Sequence, residues 1–377
     1  MRIVQVAPFF YPHAGGVESH VRTLAGELAR EGHQVTVVTS RYHRDLPPFE
    51  ERDGYRIVRT PSAGVLFNTP IDVAAGRTVR SVPADVVHLH YPPPLTSFFA
   101  SRAMDGTGVP MCLTYHCDLF LPGIAGRAIS GLYERAFLPP TLARVRRIVV
   151  HTRSYGSTSA VLRGRELEII PSIVDLARFR PGIDASGLRG DLRLDGKRVV
   201  AFTGRLVPHK GVDVIVHALR ELPPDVVLLV VGAGALLPDL VGLAARVGVA
   251  DRVRFCPRVA DDDLPRYLAL AEMFVFPSQN RLEGFGLAAA EAMAMGLPVI
   301  VADVPGVREI IEDRREGLLT EPLIASDVAR KIRTLLDDPA LAQRMGAAGR
   351  RRAEARFGLR TVAGQLIRMY EGLSATG

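Results

Sequence analysis

The sequence of 377 residues has no tryptophan, only three cysteines and only three lysines. The cysteines (Cys112, Cys117 and Cys256) are odd in number and lack metal-ligand spacing, which argues against a disulfide framework or a structural zinc site and favours a reducing cytoplasm. No apolar run approaches the roughly 18–20 residues that a membrane span needs. The N-terminal MRIVQVAPFF lacks the apolar core and cleavage site of a signal peptide, and we interpret it as a first strand.

The composition, with 47% hydrophobic and 23% charged residues, is that of a soluble globular protein, and its length suggests two domains. All but three of the 47 basic residues are arginines, and the net charge is +7. The region from Arg127 to Arg165 carries eight arginines against one acid, Glu134. Such a surface suits an anionic membrane or acceptor, although a solvated face produced by a general bias toward arginine is the alternative. Nucleic acid is not an expected partner, because no motif interleaves basic and aromatic residues.

Short apolar runs alternate with amphipathic stretches, which is typical of parallel sheets covered by helices on both faces. From Asp175 to Lys197 the apolar residues do not recur at a regular spacing, and we interpret this stretch as a linker. We therefore expect two Rossmann-like, doubly wound α/β domains over residues 1–178 and 179–355, facing a deep cleft, with a last helical segment, 356–377, returning to the first domain. Strands are predicted at Ile3–Ala7, Val35–Thr39, Val86–His90, Met111–His116, Ile148–Thr152, Glu168–Pro171, Val199–Thr203, Val227–Val231, Val253–Cys256, Met273–Phe276, Val299–Ala302 and Gly317–Leu319.

Two loops that follow predicted strands have residues suited to phosphate. Gly15 and Gly16 precede a predicted helix, where backbone N–H groups and the helix dipole favour an anion. The segment TGRLVPHKGV contains Arg205 and Lys210, a guanidinium and an ammonium that can neutralise a diphosphate. A flexible turn and two solvated surface cations are the respective alternatives. The pattern GxGxxG of dinucleotide-binding proteins is missing, which disfavours a dehydrogenase.

The most informative stretch is EGFGLAAAEAMAMG, after the strand Met273–Phe276. Its alanines predict a helix over Leu287–Met295, ended by Gly296 and Pro298. Glu283 lies in the preceding loop and Glu291 lies one turn into the helix, so that two carboxylates can bind vicinal hydroxyls. We expect free N–H groups at Phe285, Gly286 and Leu287, which suit phosphate oxygens.

The motif Glu283-x7-Glu291, preceded by GRLVPHKG, PHAGGVESHV and TYHCD (Thr114–Asp118), resembles the retaining glycosyltransferases of family GT4, which have the GT-B fold. The resemblance extends over essentially the whole chain. It implies that Arg205 and Lys210 bind the donor diphosphate, that Glu291 holds the ribose, and that Glu283 contacts the transferred sugar. It also implies that the Gly16 N–H meets the donor phosphate, that His116 contacts the sugar, and that backbone groups at Arg258–Val259 meet the base. The donor-binding residues expected in this way are Gly15, Gly16, Arg205, Lys210, Arg258, Val259, Glu283, Gly284, Phe285, Gly286, Leu287 and Glu291.

By this resemblance the chain is expected to move a hexosyl unit, mannosyl or glucosyl, from a GDP- or UDP-linked sugar to an acceptor hydroxyl with retention. Relatives with the TYHxD segment imply a lipid-linked or cell-envelope acceptor, and the family implies no metal or other cofactor. No side chain qualifies as a covalent nucleophile, which favours a same-face attack. A nucleotide-sugar epimerase and a non-catalytic nucleotide-sugar-binding subunit are the alternatives. One departure from the family pattern is IPSIVD, in which Ile173 replaces the usual glycine. We expect a cytoplasmic location, with peripheral attachment to the inner face of the membrane left open.

Overall fold

The structure is a computed structural model that describes residues 1–13, 15–66, 69–119 and 123–375. The chain divides into two compact units, and the first contains both ends of the chain. Unit 1 comprises residues 1–173 and 359–377, and unit 2 comprises residues 174–358. Among the described residues, no helix has the length and apolar character to cross a membrane.

Unit 1 is built on an eight-stranded sheet with the order β10-β9-β8-β7-β1-β2-β4-β3, in which only the β3–β4 pair is antiparallel. Its strands are β1 (Arg2–Ala7), β2 (Gln34–Arg41), β3 (Phe49–Arg52), β4 (Tyr55–Pro61), β7 (Val86–Tyr91), β8 (Met111–Tyr115), β9 (Arg147–Val150) and β10 (Glu168–Ile169), with a small ladder of β5 (Val65–Leu66) and β6 (Thr69–Pro70). Its helices are α1 (Gly16–Arg30), α2 (Ala75–Ser81), α3 (Pro94–Met104), α4 (Gly123–Leu142), α5 (Arg153–Thr158) and the C-terminal α13 (Leu359–Ala375).

Unit 2 is a six-stranded parallel sheet with the order β13-β12-β11-β14-β15-β16. Its strands are β11 (Arg198–Thr203), β12 (Val226–Val231), β13 (Val253–Cys256), β14 (Met273–Phe276), β15 (Val299–Ala302) and β16 (Gly317–Thr320). Its helices are α6 (Ser186–Asp191), α7 (Val212–Ala218), α8 (Leu237–Arg246), α9 (Leu264–Leu268), α10 (Leu287–Ala294), α11 (Ala325–Asp337) and α12 (Pro339–Arg356). The continuous Val, Ile, Leu and Phe runs of the strands are buried, because helices cover both faces of the sheet.

All twelve predicted strands are present, with ends within two residues of the predicted ones, and the expectation of two Rossmann-like domains is confirmed. The hairpin of β3 and β4 was not predicted. It lies in a charged stretch, but its turn, Asp53–Gly54, has positive φ at both residues (48° and 82°). An Asp-Gly pair between two extended runs is the usual signal for such a turn.

The interpretation of Asp175–Lys197 as a linker is wrong. Phe179 and Leu194 from this stretch are buried in unit 2, and α6 lies within it. The unit boundary falls between Ile173 and Val174. Ile173, which stands at the family's usual glycine position, is buried in the core of unit 1 beside residues of α13. Helix α13 therefore follows unit 2 in the chain but belongs to unit 1.

Candidate functional site

The sheet order of unit 2 places β11 and β14 side by side, although they are far apart in sequence. Strands β11, β12 and β13 follow one another toward one edge, while β14, β15 and β16 continue toward the other. The chain thus reverses its winding direction between β11 and β14, and ligands of doubly wound sheets bind at the carboxyl ends of strands at such a point. The loops that follow these two strands contain Lys210 and Glu283.

Lys210 forms an ion pair with Glu283 Oε2. The Lys210 Nζ atom also lies 4.9 Å from the centre of the Phe276 ring, over its face. The other carboxylate oxygen, Glu283 Oε1, accepts a hydrogen bond of 3.1 Å from the Gly286 N–H at the start of α10. The expectation that this N–H group is free is therefore wrong, because Glu283 itself caps the helix. Both carboxylate oxygens of Glu283 are thus engaged.

The loop after β11 also contains Arg205 and His209, which differ in charge. Arg205 is exposed at the carboxyl end of β11. Burial, together with the charges of Lys210 and Arg205, lowers the pKa of His209 to about 4, while Glu283 opposes the shift. His209 is thus neutral at neutral pH, and the two cations determine the charge of the loop. The His209 carbonyl accepts the Gln279 N–H at 2.8 Å and joins this loop to the one after β14.

Gly211, which follows Lys210, brings the same two loops into backbone contact. Its φ of 70° lies in the left-handed region, and a Cβ atom there would lie 2.2 Å from the Pro277 carbonyl oxygen. Any side chain at this position would therefore push the β11 loop away from the β14 loop. The close approach positions Lys210 beside Glu283.

We expect Gly211→Ala to lower the free energy of unfolding by about 2 kcal/mol or more and to reduce kcat/KM, because Lys210 moves with the loop. Gly248→Ala is the matched control, since Gly248 has a φ of 74° but a Cβ there would meet no atom of the described part of the chain within 4 Å. Thermal unfolding and steady-state kinetics measure both effects. Equal kinetics for the two variants would contradict the role given to the close approach.

Glu291 lies on α10, and the neighbouring charges are Arg178 and Asp261. Burial raises the pKa of Glu291 to about 8, with Arg178 opposing the shift and Asp261 adding to it. Arg178 forms an ion pair with Asp261 at 3.1 Å and also donates to its backbone carbonyl. Sequence analysis missed Arg178, which lies in the segment interpreted as a linker. The sequence signal is the aromatic residue beside it, Phe179, which is buried in the core of unit 2.

The other predicted residues of unit 2 differ in their environment. Phe285 is buried and packs edge-on against Phe357 at 5.3 Å, and Leu287 packs against the same core. The backbone of Gly306 packs closely against Gly284, since a Cβ on Gly306 would lie 2.8 Å from the Gly284 carbonyl oxygen.

The loop after β13 contains Arg258, which is exposed, and Val259, which is half-buried, and it continues to Asp261. Gly284, Phe285 and Leu287 thus belong to the Glu283–Glu291 turn, and Arg258 and Val259 lie in the loop that leads to Asp261, whose charge acts on Glu291.

In unit 1, Gly15 and Gly16 begin α1, the first helix after β1, where the winding direction of that sheet also reverses. The Glu18 carboxylate folds back against Gly15, where a Cβ would lie 2.2 Å from Glu18 Oε2. His13 Nδ1 lies 2.8 Å from Glu18 Oε1. Among the described residues, a Cβ on Gly16 would meet nothing within 4 Å. The surface at Gly16 is therefore open in unit 1.

His116 follows β8 and is buried. Its Nδ1 lies 2.9 Å from His151 Nε2, and its Nε2 lies 3.0 Å from His90 Nδ1. A sugar hydroxyl can meet a ring nitrogen of His116 only in exchange for one of these hydrogen bonds. His88, His90 and His151 were not singled out in the sequence, although the alternation His88-Leu89-His90 places two imidazoles on one face of a strand.

The arginine-rich region is partly neutralised by acids from elsewhere in unit 1. Arg144 pairs with Asp105 at 2.9 Å, and Arg147 pairs with Glu168 at 3.4 Å. The side chain of Arg127 lies outside the described residues. The arginines that are exposed in the described part of this region include Arg135, Arg163 and Arg165. Within the described ranges, no group of three or more His, Cys, Asp or Glu side chains is arranged to hold a metal ion.

Comparison with known families matches both halves of the chain. Residues 14–178 match the model of Glycosyltransferase Family 4, and residues 188–352 match that of Glycosyl transferases group 1. The chain is 31% identical to a GDP-mannose-dependent alpha-(1-6)-phosphatidylinositol monomannoside mannosyltransferase of Mycobacterium tuberculosis, over 98% of each chain. The chain belongs to glycosyltransferase family 4.

Two further relatives of this family 4 glycosyltransferase are informative. A D-inositol 3-phosphate glycosyltransferase of Nocardia farcinica is 31% identical, over 91% of this chain and 82% of its own length. The structure of sucrose-phosphate synthase from Thermosynechococcus elongatus is similar with a TM-score of 0.86 and 26% identity, over 100% of both chains. The GT-B fold expected from the sequence is thereby confirmed, and so is the assignment as a glycosyltransferase.

Proposed function

We propose that this glycosyltransferase moves a mannosyl unit from GDP-mannose to a hydroxyl of a phosphate-bearing acceptor, with retention at the anomeric carbon. Two of the relatives are named for phosphorylated inositol acceptors, and one is named as GDP-mannose-dependent. The observation that carries the proposal is the meeting of Lys210, Glu283 and the start of α10 where the winding of the unit 2 sheet reverses. A cation, a carboxylate and a helix N-terminus suit the diphosphate and the sugar hydroxyls of one donor.

The leaving diphosphate is the group that gains negative charge when the sugar–phosphate bond breaks. Arg205 and Lys210 lie in one loop and are positioned to neutralise this charge, with the N-terminus of α10 contributing its dipole. We propose that this cationic pair takes the place of a metal ion. Gly16, which is exposed at the start of α1, would add a backbone N–H.

Glu291 would bind the ribose, and the loop containing Arg258 and Val259 would contact the base through its backbone. A carboxylate accepts hydrogen bonds from two neighbouring hydroxyls, which matches the vicinal diol of a ribose. The contact between Asp261, from the base-side loop, and Arg178, which is also a neighbour of Glu291, supports a shared nucleoside pocket.

Glu283 and His116 would contact the transferred sugar. Both oxygens of Glu283 are already engaged, by Lys210 and by the Gly286 N–H, which does not suit a covalent nucleophile. Retention is therefore proposed to proceed by same-face attack, in which the acceptor hydroxyl forms the new bond as the sugar–phosphate bond breaks. The departing phosphate oxygen takes the acceptor proton.

The acceptor is proposed to lie at an anionic surface, and the exposed Arg135, Arg163 and Arg165 are proposed to contact that surface.

Membership of a glycosyltransferase family favours glycosyl transfer over the two alternative functions, those of an epimerase and of a non-catalytic subunit. An epimerase would convert the donor without any acceptor, and a non-catalytic subunit would bind the donor without consuming it.

The test is a panel of GDP- and UDP-linked sugars with purified protein and EDTA. Each donor is scored for acceptor-free hydrolysis, and for transfer to phosphatidylinositol in vesicles and to inositol phosphate in solution. We expect GDP-mannose to give the largest kcat/KM and an α-linked product, and we expect vesicle-bound acceptor to be used better at low salt. Turnover of UDP-linked sugars alone, conversion to an epimer, or a strict need for a divalent ion would contradict the respective parts of the proposal.

A further inference from the structure

One face of the unit 1 sheet carries a row of polar side chains, where apolar ones are the rule in a parallel sheet. This face is covered by α1 and α13. Burying so many polar groups is unfavourable unless each finds a hydrogen-bond partner. The members of the row, all buried, are Gln5 on β1, His88 and His90 on β7, Thr114 on β8, His116 after β8, His151 after β9 and Tyr370 on α13.

Three of these imidazoles form a chain between two fixed ends. His151 Nδ1 donates to the Ile170 carbonyl at 3.0 Å. His151 Nε2 faces His116 Nδ1 at 2.9 Å, and His116 Nε2 faces His90 Nδ1 at 3.0 Å. His90 Nε2 lies 2.6 Å from the side-chain amide of Gln5, with the amide oxygen turned toward it. Four hydrogen bonds thus link three rings and two acceptors.

Four hydrogen bonds need four protons, whereas three neutral imidazoles supply only three. A fourth proton would make one ring a cation. Burial and the neighbouring imidazoles lower the pKa of His90 and His116 well below the ordinary value, and burial lowers that of His151 to about 4. His20 on α1, with its ring centre 5.1 Å from that of His116, adds a further imidazole and no counter-charge. The three rings are therefore neutral at neutral pH.

The proton count closes when the Gln5 amide is turned over, which exchanges its nitrogen and oxygen at the same positions. The amide then donates to His90 Nε2 and accepts from the Tyr370 hydroxyl, 3.2 Å away. Tyr370 in turn accepts from His88 Nδ1 at 2.6 Å, and His88 Nε2 accepts from the Thr114 hydroxyl at 2.7 Å. Each hydrogen bond of the row then has one donor and one acceptor.

This arrangement has one consequence for every ring in the row. His88, His90, His116 and His151 must each carry their proton on Nδ1, because each Nε2 accepts a hydrogen bond. The tautomer of an imidazole is determined by the partner of its other nitrogen, and here the Ile170 carbonyl determines it for His151 and, through His151, for His116. Because a carbonyl has no proton to give, the row cannot conduct protons by reversing its direction.

We propose that His151 is a positioning residue for the transfer reaction, which holds His116 as the Nδ1–H tautomer so that its Nε2 is a hydrogen-bond acceptor for a sugar hydroxyl. The inference rests on the proposed function, in which His116 contacts the donor sugar. His90 Nδ1–H occupies His116 Nε2 in the structure and gives way to the hydroxyl when the donor binds. His151 acts on the sugar only through His116.

The first arm of the test records the ring nitrogens of the full-length chain, labelled with 15N at histidine, without substrate. Long-range 1H–15N spectra distinguish the two tautomers, and single substitutions assign the signals. We expect the Nδ1–H form for His88, His90, His116 and His151. We also expect the His116 signal to move toward the Nε2–H form in His151→Leu and to stay in His151→Gln, whose amide oxygen can still accept the Nδ1–H.

The second arm compares the turnover of the same variants. We expect His151→Leu to lower kcat by about 10–100-fold, the loss that follows removal of the hydrogen-bond partners of metal-bound histidines, and His151→Gln to recover most of this loss. His88→Leu is the matched control, since His88 is equally buried in the same row but does not contact His116; it should lose stability and keep kcat within about twofold.

An Nε2–H signal for His116 in the unsubstituted chain would overturn the inference, as would an equal loss of kcat in His151→Leu and His88→Leu. Failure of the unsubstituted chain to transfer mannose would instead overturn the proposed function. The two failures are distinguishable, because the ring spectra need no donor and no acceptor.

Discussion

Replacing Lys210 with alanine is expected to reduce kcat/KM by about 10²–10³-fold, the usual loss on removing one preorganised charge donor at a reacting centre. The Lys210 ammonium group would balance the charge of the leaving diphosphate, and in the structure it is held by the Glu283 carboxylate and the face of the Phe276 ring. The substitution also leaves Glu283 as an unpaired anion next to the donor. Steady-state kinetics with the best donor of the panel measure the loss.

One of the other two lysines of the chain provides a matched control for Lys210→Ala. Lys331→Ala changes the net charge equally but lies on α11, and it should leave kcat/KM within about twofold. Lys210→Arg keeps the charge but not the compact ammonium group, and an intermediate loss is expected. The double variant Arg205→Ala, Lys210→Ala should lose more than either single one. Wild-type turnover by this double variant would refute the assignment of both cations.

Glu291→Gln is expected to raise the donor KM by about 10–100-fold, the effect of losing hydrogen bonds to a charged group. A carboxylate can accept from both ribose hydroxyls, whereas an amide oxygen offers only one acceptor position with a donor beside it. Because the pKa of Glu291 is raised to about 8, donor affinity should rise with pH up to about 8 and then level off. In Glu291→Gln this pH dependence should be absent.

The same group should affect stability in the opposite sense. The folded pKa is about 8 and the ordinary value is 4.5, so that between these values the unfolded chain ionises while the folded chain does not. The contribution of Glu291 to the free energy of unfolding therefore falls as pH rises from about 4.5 to about 8. Glu291→Gln should gain in Tm relative to the unsubstituted protein across this range.

Glu221→Gln provides the control, since the Glu221 side chain is exposed and its ion-pair partner, Arg333, is 3.7 Å away. Its Tm difference should stay small and constant over the same pH range. An unchanged donor KM in Glu291→Gln at every pH would remove Glu291 from the donor site. If the Tm difference between Glu291→Gln and the unsubstituted protein did not change with pH, burial would not be what keeps the Glu291 carboxyl group neutral.

The opposing effects at Glu291 illustrate a trade between stability and binding. A half-buried carboxyl group that is kept neutral lowers the free energy of unfolding, and this loss is recovered when a diol supplies the hydrogen bonds that an ionised carboxylate needs. Arg178 lowers this cost by its charge, which gives the former linker segment a part in the donor pocket. Donor binding should accordingly stabilise unit 2 more at pH 8 than at pH 6.

Local patterns in the sequence determined the strands and helices, because continuous apolar runs and an alanine-rich helix ended by glycine and proline need only nearby residues to be recognised. They also determined which loops contain Arg205, Lys210, Glu283 and Glu291, since these loops directly follow predicted strands. The hairpin turn at Asp53–Gly54 follows the same kind of local rule, because an Asp-Gly pair between two extended runs is a hairpin signal.

Only the tertiary structure decided which side chains meet. Lys210 pairs with Glu283, the charge of Arg178 acts on Glu291, and Tyr370 joins the imidazole row through a helix that follows unit 2 in the chain. The physical reason is that a hydrogen bond or an ion pair depends on distances of a few ångströms between groups that are far apart in sequence. The spacing of hydrophobic residues along an element determines which face of that element is buried. It does not determine which polar group on another element will form a hydrogen bond with a buried donor or acceptor.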